Sequence, residues 1–242
     1  MEKKFICAVL CFNNEKIIQT LINDLNSHDK LKDIKKIFID DASVDATYDI
    51  LKSNNLDIVR HNNNLGYGCA VKSAFKYASQ NEYEYLFIFP GDYQRSIEDL
   101  VVMMELSKKN EYDLISGSKF NKIKLLPRHR KIGNLFYSNL AKLFWNSSLE
   151  DVLSGFKLYK VKKFIGIIEN LPNNYSFDIV MNLVISKKNF KCFEFDADVK
   201  YNDQTSKMKS MFYFGKKNIL LIGINMFLSI IFEFFKLIFN KK

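Results

Sequence analysis

A switch of hydrophobic period, repeated along the first half of the chain, constrains the fold more than any other feature. Phe5–Phe12 is an apolar run rich in strand formers, and Glu15–Leu25 follows with Ile17, Ile18, Leu21, Ile22 and Leu25 at helical spacing. The alternation continues through strand Lys36–Ile39, helix Asp45–Leu51, strand Ile58–Arg60, helix Ala70–Ser79, strand Tyr85–Phe89, helix Ile97–Lys108 and strand Asp113–Ser116. Strands and helices alternating at this length predict an α/β fold with a mostly parallel central sheet flanked by helices. In such sheets ligands bind beyond the carboxyl ends of the strands. The polar segments Asn13–Glu15, Asp40–Ser43, Asn62–Gly68 and Gly91–Gln94 are therefore expected on one rim.

Composition narrows the classes. A chain of 242 residues, 48% hydrophobic with 9 Gly and 3 Pro, suits one well-filled domain and excludes a disordered or collagen-like chain. Cys7, Cys11, Cys69 and Cys192 form no CxxC pair and lie far from His28, His61 and His129, so neither a zinc ribbon nor a disulfide scaffold is expected. Reduced thiols in a cytosolic setting are the plainer reading. The amino-terminal apolar run meets Asn13-Asn14-Glu15 too soon for a signal peptide. The net charge of +9 suits nucleic acid, anionic lipid or phosphorylated substrates. Lysines spread along the whole chain and no nucleic-acid-binding motif is present, so a nucleic-acid partner is not expected.

Three constellations can carry chemistry. In Asp40-Asp41-Ala42-Ser43-Val44-Asp45-Ala46-Thr47, at a strand end, Ser43 or Asp45 suits capping of the next helix. Capping needs fewer carboxylates than the segment supplies, and Asp41 is read as facing a nucleobase or ribose. In Phe87–Gln94 a hydrophobic strand ends in Pro90-Gly91-Asp92, where Asp92 can hold a divalent cation bridging two phosphates; a Pro-Gly-Asp turn is the bland alternative. In Glu150–Lys157, Asp151 could take a proton from an acceptor and the backbone at Gly155 could approach a sugar closely.

Joined in order, these segments resemble family 2 glycosyltransferases with a GT-A, Rossmann-like fold. Cys11-Phe12-Asn13-Asn14-Glu15 stands where that family has Pro-Ala-Tyr-Asn-Glu. Asp40–Thr47 is similar to Asp-Asp-Gly-Ser-x-Asp-x-Thr, and Asn64-Leu65-Gly66-Tyr67-Gly68-Cys69-Ala70 to Asn-x-Gly-x-Gly-x-Ala. Asp113–Phe120 looks like a further family segment, and the matches span roughly residues 5–207. The resemblance implies nucleotide-sugar binding by Cys11, Phe12, Asn13, Glu15, Asp41, Gly66, Gly68 and Asp92. It makes Asp92 the ligand of Mg²⁺ or Mn²⁺, although Pro90 stands where the usual Asp-x-Asp has its first carboxylate. Asp151 falls where inverting members place their acid/base residue.

A subset, the polyprenyl- and dolichyl-phosphate sugar synthases, has a basic loop ahead of an Asp-x-x-Ser-Gly-Phe segment. Here Arg128-His129-Arg130-Lys131 precedes Asp151–Lys157. The resemblance thus implies acceptor or phosphate binding by Arg128, Arg130, Lys131, Ser154, Gly155 and Lys157. Tyr175–Asp178 and Val199–Lys207 also resemble this subset, with Val180 at a usual Glu and no Arg near Asp203.

From Ile219 to Phe239 a mostly apolar run carries no charge except Glu233 and Lys236, with lysines at 216, 217, 241 and 242. As a helix this run would extend about 30 Å, nearly a bilayer core. It is read as a carboxyl-terminal hydrophobic helix attached to a membrane, the alternative being burial in a homo-oligomer or against the domain. The expected division is a GT-A domain over 1–215 and a membrane-associated helix over 216–242. The expected function is transfer of a sugar, with inversion, from a nucleotide-diphosphate sugar to polyprenyl phosphate at the cytosolic membrane face. A soluble transferase extending a surface polysaccharide or glycan, and an inactive GT-A scaffold, are the alternatives.

Overall fold

The computed structural model describes residues 4–120 and 128–199, with positions 224, 227, 228 and 230–232. Among them, strands β1 (Phe5–Cys11), β2 (Lys35–Asp40), β3 (Ile58–Arg60), β4 (Tyr85–Pro90), β5 (Leu114–Ser118), β6 (Lys157–Lys160) and β7 (Cys192–Asp196) form one sheet ordered β3-β2-β1-β4-β6-β5-β7. Neighbours pair in parallel except β6, which runs antiparallel to both β4 and β5. The helices are α1 (Ile18–Ser27), α2 (Thr47–Ser53), α3 (Tyr67–Gln80), α4 (Glu98–Lys109), α5 (Arg128–Trp145), α6 (Val161–Ile168) and α7 (Phe177–Lys188).

The apolar run of β1 is continuous because both of its faces are covered. Ile6, Ala8 and Leu10 pack with residues of α3, α5, α6 and α7, whereas Cys7, Val9 and Cys11 pack with α1 and α4. That period of two splits the core into a cluster on each side of the sheet.

Register levels the strand ends. Cys11 lies opposite Asp40 and Leu10 opposite Pro90, so the turns after β1, β2 and β4 emerge side by side. Lys157 lies opposite Ile88 and Ser116, so β6 enters the sheet at this same rim and brings the 151–156 loop with it.

One expectation changes and another falls largely outside the described residues. Arg128-His129-Arg130-Lys131 is not a loop but the start of α5, which begins ahead of the Asn134 expected from periodicity. The apolar run after 218 falls outside the described residues except for six positions, all helical, of which Ile230 joins the core beside α5 and α7. No helix among the described residues is long and apolar enough to cross a membrane. Lys122, Lys124, Asp203, Ser206 and Lys207 also lie outside them.

Candidate functional site

The turns after β1 and β2 are stitched together by reciprocal hydrogen bonds. Asn13 N–H donates to Ser43 Oγ (3.0 Å), and Val44 N–H to Asn13 Oδ1 (2.9 Å). Glu15 N–H donates to Asp45 Oδ2 and Ala46 N–H to Glu15 Oε2, both at 3.1 Å. Asn14 N–H donates to Thr47 Oγ1 at 2.6 Å. Asp45 Oδ1 accepts Thr47 N–H just ahead of α2, whose N-cap position is Ala46, and Ser43 donates to buried Asp40. Asn13 and Glu15 remain exposed at the rim, Phe12 is half-buried, and Cys11 is buried with its carbonyl accepting Asp41 N–H. Cys11 thus shapes the turn and does not present its thiol to a ligand.

Asp41 is likewise engaged within the protein. Its carboxylate is buried and accepts Leu65 N–H and Gly66 N–H, both at 2.9 Å, while His61 Nδ1 lies 2.7 Å from Oδ1. His61 Nε2 in turn lies 2.8 Å from Ser73 Oγ on α3. A Nδ1–H tautomer satisfies both bonds, with Ser73 donating to Nε2. Asp41 therefore holds the 61–66 loop in place. A Cβ at Gly68 would stand 2.1 Å from Pro172 O, so the missing side chain lets α3 pack closely against the 172–173 backbone. Gly66 adopts φ +94° at the entry to α3.

The turn after β4 presents Asp92. It is half-buried, accepts Gln94 N–H at 3.3 Å, and keeps acceptor capacity beyond that bond. Across the rim Asp151 is 1% exposed; its Oδ2 accepts Lys119 N–H at 3.0 Å and its Oδ1 has no partner among the described residues. The backbone beneath is clamped by Glu194 on β7, whose carboxylate accepts Glu150 N–H (2.5 Å) and Asp151 N–H (2.9 Å). Burial pushes the Glu194 carboxyl up and the Asp151 charge adds to this, against the pull of the two N–H bonds.

The residues expected at an acceptor phosphate separate. Lys157 is 2% exposed on β6 and its ammonium lies 2.5 Å from Asp178 Oδ1, so it neutralises a buried carboxylate. Burial pushes Asp178 up, while Lys157 and a hydrogen bond from Tyr67 oppose this. Ser154 is buried, donates to Gly117 O (2.6 Å) and accepts from Arg95 at 3.3 Å. A Cβ at Gly155 would stand 2.5 Å from the Tyr67 hydroxyl, so its close approach is to the protein interior. These three support the Asp151 loop from within. Lys131 is half-buried on α5, where Arg128 and Arg130 also lie.

Sequence reasoning missed His61, Ser73, Arg95 and Glu194. One signal was available for His61, which directly follows β3 at the rim; Ser73 and Glu194 lie inside elements, Arg95 lies in the segment between β4 and α4, and none of the three carries a motif.

Comparison with known proteins adds to this geometry. Residues 7–167 match the family model described as glycosyl transferase family 2. An uncharacterized protein of Methanocaldococcus jannaschii is 29% identical over 212 residues, covering 82% of this chain and 89% of that protein. UDP-N-acetylglucosamine–dolichyl-phosphate N-acetylglucosaminyltransferase of Methanococcus voltae is 25% identical over 212 residues, covering 78% and 82%. Among solved structures, glucosyl-3-phosphoglycerate synthase from Mycobacterium tuberculosis, in complex with Mn²⁺, UDP and glucosyl-3-phosphoglycerate, superposes with TM-score 0.63. It is 12% identical and covers 94% of this chain and 78% of that one, a likeness of fold.

Proposed function

Because this chain belongs to glycosyl transferase family 2, we propose that it moves a sugar, with inversion, from a nucleotide-diphosphate sugar to a polyprenyl-phosphate acceptor at the cytosolic face of a membrane. Residues 1–215 would form the catalytic unit and 216–242 the membrane-associated segment. The rim formed by the turns after β1, β2 and β4 would take the donor, with Asn13, Phe12 and Glu15 toward the nucleotide and Cys11, Asp41, Gly66 and Gly68 shaping the turns around it. Similarity to the Methanococcus voltae transferase, which its name gives a dolichyl-phosphate acceptor, supports the acceptor class.

One observation carries the reading. Asp151 keeps a buried carboxylate oxygen without a partner among the described residues, on the rim that also presents Asp92. An unsatisfied buried acceptor costs about 1–3 kcal/mol, and such groups persist where they serve chemistry. Toward a sugar hydroxyl Asp151 would act as base, taking the proton as the hydroxyl oxygen bonds to the anomeric carbon and the bond to the diphosphate breaks. Toward a lipid phosphate, already an anion, it would position the attacking oxygen.

Asp92 fits a divalent cation. It supplies a hard oxygen at a strand end, and Mg²⁺ or Mn²⁺ in nucleotide sites takes one or two carboxylates and completes its shell with phosphates and water. Among the described residues no three His, Cys, Asp or Glu side chains converge. When bound, the cation neutralises charge on the departing diphosphate.

The test is transfer from UDP-, GDP- and TDP-sugars to polyprenyl phosphate with Mn²⁺. Asp92→Asn is expected to lower metal-dependent transfer by about 100-fold or more, and wild-type-like activity would overturn the metal assignment. Transfer to a free glycan but not to polyprenyl phosphate would overturn the acceptor.

A further inference from the structure

Among the described residues, eight of the twelve exposed large apolar side chains gather on two segments. Ile132, Phe136, Leu143 and Phe144 on α5 are between 49% and 80% exposed, and Ile224, Phe227, Leu228 and Phe232 between 38% and 66%. Phe136 and Phe227 bring the segments together, with ring centroids 6.4 Å apart. On α5, residues 132, 136 and 143 fall on one stripe at 3.6 residues per turn, whereas Tyr137, Ala141 and Trp145 turn into the core. In the second segment Ile230 is 3% exposed and packs inward, leaving its neighbours outside. A globular chain rarely leaves so many large apolar groups together without a use for them.

Charge identifies the occupant. The 18 residues of α5 include Arg128, Arg130, Lys131 and Lys142 and contain no Asp or Glu. In the second segment Ile219–Phe232 carries no charge and follows Lys216 and Lys217. A second copy of this chain seated on the face across a two-fold axis would bring the basic groups of α5 against their own equivalents, with no carboxylate on the helix to answer them. An anionic lipid surface answers both properties at once, taking apolar side chains into the acyl boundary and cations at the headgroups.

We propose that α5, with the described 224–232 positions beside it, is a membrane-docking ledge that seats the domain on anionic lipid. This rests on the membrane-face reading above and deepens it, since it assigns contact to a helix inside the catalytic domain as well as to the tail. The ledge also places the lipid surface beside the chemistry, because α5 is followed within a few residues by Asp151.

The test is co-flotation of the full chain with vesicles of phosphatidylcholine containing phosphatidylglycerol. The double substitution Phe136→Glu and Leu143→Glu is compared with wild type and with a chain ending at Lys217. The substituted chain is expected to lose partitioning by roughly tenfold or more, as burial of each apolar side chain is forfeited. Leu143→Trp, a substitution at a well-exposed position that leaves the core untouched, is expected to raise partitioning. Unchanged flotation of both substituted chains, with flotation lost in the shortened one, would overturn the ledge and leave attachment by the tail standing. No flotation of wild type would overturn both. A wild-type dimer in light scattering that the double substitution dissociates, without vesicle binding, would assign the face to a second copy.

Discussion

Ala42 has φ +58°, Asn13 +51° and Tyr93 +53°, one residue in each of the turns that follow β2, β1 and β4. Left-handed backbone costs a residue with a Cβ about 1–2 kcal/mol, less for Asn. The family pattern that Asp40–Thr47 resembles has Gly where this chain has Ala42, and the dihedral supplies the physical reason. Ala42→Gly is expected to raise unfolding free energy by about 0.5–1 kcal/mol, read from the midpoint of urea unfolding at unchanged slope. At this scale the rim was legible in the sequence, whereas the destination of each side chain was not. Residue type marks Asp41 as a carboxylate at a strand end, but only folding brings Leu65, Gly66 and His61 to its oxygens. Glu15 likewise reads as a polar residue facing a ligand and is found accepting Ala46 N–H.

The elements of the first half were legible because helical and strand periods alternate there without ambiguity. β6 and α7 were not, for opposite reasons. β6 is four residues bounded by lysines, Lys157-Leu158-Tyr159-Lys160, and a lysine in such a run reads as a surface group. Burial of Lys157 depends on Asp178 arriving from α7. Nine residues of α7, Phe177–Ile185, are buried, so it has no polar stripe to mark its period. The pair yields a prediction at this scale. Lys157→Met should cost about 3–5 kcal/mol by stranding the Asp178 carboxylate, and adding Asp178→Leu should recover much of that. A double-mutant cycle in urea measures it, and additive losses would show that the two groups do not depend on each other.

Over the whole molecule, the two core clusters lock β1 between them, and Cys7 sits inside one. Burial pushes the Cys7 thiol from 9.0 up to about 12, against a lesser pull from Lys36. A raised folded pKa contributes stability that is fully present below the unfolded value and is lost as pH rises through the folded one. Stability should therefore fall as pH climbs from about 9 toward 12, and Cys7→Ala should flatten that fall. Urea midpoints at pH 8, 9.5 and 10.5 check both, and an equal slope in the variant would assign the alkaline loss elsewhere.

The antiparallel β6 has a consequence for how the chain is made. It fills the slot between β4 and β5, so the sheet cannot be completed from its first 150 residues in any order. During synthesis β4 waits with one edge unpaired until Lys160 has left the ribosome, roughly 70 residues after β4 itself. An apolar strand with an open edge is a template for pairing with another chain. The nascent protein therefore passes through an interval of exposure that the finished molecule no longer displays.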